Sequence, residues 1–129
     1  MRSRHVSQVI AVTPEAVYAF ASDPGQLPRW AAGLATAPVR RSGDELIVDS
    51  PMGEVTVRFV PANDLGVLDH DVTLPDGTVV TNPVRVLAHP DGAEVVFTVR
   101  QLGTTDAELD RDVAAVQRDL ARLKEILEA

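Results

Sequence analysis

The sequence predicts an α+β fold: a curved antiparallel sheet of seven strands wrapped around one long C-terminal helix, with two short helices after the first strand. Three observations predict it. Leu109, Val113, Val116, Leu120, Leu123 and Leu127 recur at helical spacing, so Thr105 to Glu128 reads as one amphipathic helix with a single apolar stripe. Between Thr36 and Leu102 the pattern changes to short alternating runs separated by turn residues, as in an antiparallel meander. A strand and two short helices come first, and helices set apart from a run of strands define the α+β class.

The long helix has a well-marked start. Thr105 and Glu108 have capping-box spacing, and Asp106 and Glu108 put negative charge at the positive end of the helix dipole. It would run about 36 Å at the α-helical rise. Asp112, Arg118, Asp119, Arg122 and Lys124 fall off the apolar stripe. A coiled-coil seam between two copies is the alternative use of that stripe. The heptad pattern lasts fewer than four repeats, and Ala114, Ala115 and Ala121 also suit packing on a sheet.

Taken in order, His5 to Val12 alternates and forms the first strand. Thr13, Pro14 and Glu15 supply an N-cap, a proline at the first helical position and an early acid. Ser22-Asp23-Pro24-Gly25 stops that helix, and a second short one is expected from about Gln26 to Ala32. Strands are expected near Thr36–Arg41, Glu45–Ser50, Gly53–Val60, Gly66–Leu74, Thr78–Ala88 and Glu94–Leu102. Pro51-Met52 as a two-residue turn sets Val48 opposite Val55 and Leu46 opposite Val57. Pro75-Asp76-Gly77 as a three-residue loop pairs Val72 with Val80, His70 with Asn82 and Leu68 with Val84. A slip of one residue would instead bring Arg85 inward.

At 129 residues the chain is read as one domain, 1–129, large enough to bury a core without staples. The absence of cysteine removes disulfides, zinc-thiolate sites and cysteine nucleophiles. No run of signal-peptide or membrane-spanning length occurs, so a soluble cytoplasmic protein without membrane insertion is expected. A formal charge of −7, with Arg40-Arg41 as the one basic doublet, argues against nucleic acid as a partner. No cofactor motif is present and none is expected; His5 and His89 stand at no metal-ligand spacing from His70, so no metal is expected.

The segment Val9 to Phe20, followed by Ser22-Asp23-Pro24 and Leu27-Pro28-Arg29-Trp30, resembles the opening of the superfamily of START-type lipid-transfer domains, pollen-allergen-type proteins and bacterial polyketide cyclase/dehydrase-like (SRPBCC) proteins. The order of elements matches from about His5 to Leu127. The resemblance implies a helix-grip fold with an internal cavity between sheet and last helix, in which members hold lipids, hormones, polyketides or other apolar molecules.

The expected lining follows from the faces of the elements. The aromatic candidates are Tyr18, Trp30, Phe59 and Phe97. Leu68 and Val84 come from the sheet, and Val116 and Leu120 from the helix. The polar candidates are His70, Asn82 and, in the slipped register, Arg85. His70 with Asn82 is read in two ways: as a catalytic pair, with Asn82 fixing the tautomer or a ligand carbonyl, or as a buried structural histidine. The first functional reading is binding of a small hydrophobic or amphipathic molecule by a monomer or homodimer. The others are a polyketide cyclase or dehydratase using His70 as general acid/base, and a protein-interaction module with a filled interior and an exposed apolar patch.

Overall fold

A computed structural model describes residues 1–129. The elements are β1 (Ser3–Ile10), α1 (Pro14–Ala21), a 3-10 turn (Pro24–Gln26), α2 (Leu27–Trp30), β2 (Arg40–Ser42), β3 (Glu45–Ser50), β4 (Gly53–Phe59), β5 (His70–Thr73), β6 (Val79–Asn82), β7 (Val84–His89), β8 (Gly92–Arg100) and α3 (Asp106–Glu128). The strands form two antiparallel sheets, β1-β8-β7 and β2-β3-β4-β5-β6. No helix is long and apolar enough to cross a membrane.

The expected architecture stands, with eight strands in two sheets where seven in one were anticipated. Proline chemistry explains the extra strand. The run expected at Thr78–Ala88 is broken at Pro83, which has no amide hydrogen to give to a ladder. On one side of the break β6 pairs with β5; on the other β7 pairs with β8. The chain before β5 bridges the two sheets. Val67 pairs with Arg85, Leu68 N–H donates to the Val84 carbonyl and Val86 N–H to the Gly66 carbonyl. Only glycine permits this approach, since a Cβ on Gly66 would stand 2.3 Å from the Val86 oxygen at a φ of +72°.

Both hairpin registers are as the turn residues dictate. Val48 faces Val55 and Leu46 faces Val57 across β3 and β4, while Val72 faces Val80 and His70 faces Asn82 across β5 and β6. Other boundaries moved. β1 starts and ends two residues earlier than anticipated. β2 is confined to Arg40–Ser42, because Pro38 lacks a donor and the Thr36 amide and hydroxyl are both given to the Asp49 carbonyl. The regular part of the Gly66–Leu74 run is only His70–Thr73, its first residues being spent on β7.

α3 begins with a complete capping box: Thr105 Oγ1 accepts from the Glu108 amide and the Glu108 carboxylate from the Thr105 amide. Leu109, Val113, Leu120 and Leu123 are its buried residues, and they join one core with Ile10 and Val95. Arg2 pairs with Asp106, Arg4 with Asp110, and the Ala11 amide donates to Glu128. The helix and β1 therefore run side by side in the same direction, tied from end to end.

Candidate functional site

α3 packs on β1 and β8, and between it and strands β4, β5 and β6 of the second sheet a cavity of about 350 Å³ remains. Of its 26 lining residues 18 are hydrophobic, so the space is an apolar chamber with a few polar groups in its wall. Of the residues proposed from the sequence, Trp30, Phe59, Leu68, His70, Asn82, Val84, Phe97, Val116 and Leu120 stand in its wall. Tyr18 and Arg85 do not. The Tyr18 hydroxyl accepts from the Asn63 amide and serves the Pro61–Val67 loop instead. Arg85 is exposed on the outer face and makes a two-bond ion pair with Asp69 at 2.9 and 2.7 Å. That pairing holds the Asp69 carboxyl below its ordinary range, the Arg85 hydrogen bond being the main cause. Arg85 points outward because the register that pairs His70 with Asn82 is the one adopted.

His70 sits in the wall, 7 % exposed, between Phe59 and Phe97 with ring centroids 4.8 and 6.1 Å away. Burial pushes its pKa down, so the ring is neutral near pH 7. Its Nδ1 lies 3.0 Å from the Leu68 carbonyl. A carbonyl can only accept, so Nδ1 carries the proton and Nε2 is left as a lone pair. The Asn82 side-chain amide faces that lone pair at 3.5 Å, a long bond. Fixed tautomer and fixed ring leave His70 able to accept a hydrogen bond or a proton, through Nε2.

The sequence reading missed the acidic part of the wall. Asp112 and Asp119 line the cavity together with Ala115 and Val116, one strip of α3 beside its buried stripe. Their spacing of seven residues puts both on one face, which is the signal that was available. Asp119 accepts from the Gly33 amide at 3.1 Å, and burial raises its pKa from 3.8 to about 6. Thr104 and Trp30 also line the space, and the Thr104 hydroxyl and the Trp30 indole N–H are buried without a partner. Met52 and Leu102, 54 % and 40 % exposed, mark where the lining reaches the surface, beside the turns β3–β4 and β8–α3. No three His, Asp or Glu side chains are grouped so as to hold a metal ion.

A sheet bent around a long helix, enclosing an apolar chamber, defines a helix-grip protein. The family described as "Polyketide cyclase / dehydrase and lipid transport" matches residues 1–128, and the chain belongs to it. Solved structures agree on the fold. Protein XoxI from Bacillus cereus is 16 % identical with a TM-score of 0.74, the match covering 100 % of this chain and 99 % of that one. A protein from Bacillus thuringiensis is 14 % identical with a TM-score of 0.77, over 99 % and 100 % of the two chains. DynU16, a protein of the dynemicin biosynthetic locus, is 16 % identical with a TM-score of 0.76; the match covers 98 % of this chain and 47 % of that one. No curated protein matches the chain.

Proposed function

We propose that the protein binds a small hydrophobic or amphipathic molecule, lipid- or polyketide-like, in the cavity between the sheets and α3. The observation that carries this reading is the cavity itself: about 350 Å³ of mostly apolar wall with a handful of polar groups facing it. Each methylene moved there from water gains about 0.8 kcal/mol, while the polar groups select orientation. A hollow interior also weighs against the interaction-module reading, which requires a filled one.

Native mass spectra before and after denaturation test for a molecule that travels with the protein. Titration with lipid-like and polyketide-like compounds can be followed through Trp30, the single tryptophan, which lines the cavity. Saturable changes in its emission are expected. If no compound co-purifies and no apolar molecule gives a saturable response, the binding reading is wrong.

The locked tautomer of His70 favours a second reading, a cyclase or dehydratase acting on a polyketide-like carbonyl compound with Nε2 as the base. Under it, His70→Ala abolishes turnover of such a compound and leaves its binding nearly intact; turnover that survives the substitution removes His70 from the chemistry.

A further inference from the structure

The ionisable groups in the cavity wall are unevenly distributed. They are Asp112, Asp119, Arg100 and His70, so with His70 neutral two carboxylates stand against one guanidinium, and no lysine lines the space. Arg100 is exposed, and its guanidinium already donates to the Ser3 hydroxyl at 3.0 Å. Asp119 is half-buried, and its bonded partner in the protein is one backbone amide, that of Gly33. Arg118 acts on it at a distance, outside ion-pair range. A carboxylate withdrawn from water without a cation beside it costs free energy that a bound cation would recover. Trp30, 8 % exposed and in the same wall, adds an aromatic ring, the side chain on which an ammonium is best received.

We propose that the molecule taken by this cavity is an apolar amine, whose ammonium pairs with Asp119 while its hydrocarbon part lies against the Phe59, Leu68 and Val116 side of the chamber. This rests on the reading of the cavity as a binding site and adds the charge of its occupant. Asp112, at the exposed rim of the same strip, attracts the incoming cation and repels anions. The chain's overall −7 acts in the same direction over longer range. Fatty carboxylates are accordingly disfavoured, since their charge would meet the carboxylates of α3.

Octylamine, octanol and octanoate share one chain and differ in charge, and their binding to the full chain at pH 7.5 can be measured by calorimetry and Trp30 emission. Octylamine is expected to bind at least tenfold tighter than octanol, with octanoate the weakest. Asp119→Asn, which keeps an oxygen to accept from Gly33, should cut the preference for amine over alcohol at least fivefold. Asp110→Asn removes the same charge from outside the cavity and should leave the preference in place, which separates a local pair from the general negative field. Octanoate binding as tightly as octylamine would assign the polar end to Arg100 and overturn the proposal. An unchanged preference in Asp119→Asn overturns it as well, and Asp119→Ser, which also removes the charge and keeps an oxygen for the Gly33 amide, repeats that test should the first variant fold poorly. If octanol and octanoate bind but the amine shows no advantage, the amine proposal fails and the binding reading survives; if none of the three binds, the amine proposal fails, and the binding reading falls with it only when the lipid- and polyketide-like compounds also give no saturable response.

Discussion

The two flanks of α3 behave differently. Toward β1 and β8 the helix presents Leu109, Val113 and Leu123, at most 3 % exposed, and the interface is closed. On the other flank it presents Asp112, Ala115, Val116 and Asp119, and the space beyond them is open. The difference lies in the partner. β1 and β8 run under the helix and β1 is tied to it by Arg2, Arg4 and Ala11, whereas the strands of the second sheet do not pack on it. A hollow arises where small and acidic side chains face a sheet that lines the space without packing on the helix.

The comparison can be broken most directly by truncation on each flank. Leu123→Ala should cost about 2–5 kcal/mol in urea denaturation, since a filled site must become a void. Val116→Ala, which borders an existing void, should cost about 1 kcal/mol or less. Equal losses would mean that the chamber is packed in solution. Thr105→Ala removes the cap on which both flanks depend and should cost about 1 kcal/mol, lowering stability and ligand affinity together. The smallest effect comes from Asp119. Its folded-state pKa, about 6, lies above the ordinary 3.8, so between those values the native state holds more proton than the unfolded chain. Stability contributed at Asp119 is therefore lost as pH rises through that window. Asp119→Asn should gain about 1 kcal/mol or less at pH 8, after discounting for solvent around the carboxylate, and nearly nothing below pH 4. A gain that persists at low pH would place the effect in packing.

The closed flank was the more legible of the two. An apolar stripe at helical spacing, a capping box and two hairpin turns determine which residues meet, and His70 facing Asn82 follows from the loop Pro75-Asp76-Gly77. The open flank resisted reading because the same alternation serves a filled interior and a hollow one. Asp112 and Asp119 looked like solvated charges for the same reason: a one-dimensional pattern shows which face a residue shares, and what stands opposite depends on how the sheet bends. Tyr18 was misplaced because its hydroxyl finds a loop amide, a contact 45 residues away that no local pattern encodes. Pro83 was visible in the sequence, yet its effect, a change of partner from β5 to β8, needs both partners in view.

The ties between α3 and β1 have a mechanical consequence. Parallel and fastened near Asp106, Asp110 and Glu128, the helix behaves as the fixed jamb of a doorway rather than as its leaf. α2 packs on the same helix, and just beyond it the Gly33 amide donates to the Asp119 carboxylate. The way into the interior is thus the rim marked by Met52 and Leu102, on the β3–β4 and β8–α3 turns, and whatever passes there leaves the long helix standing.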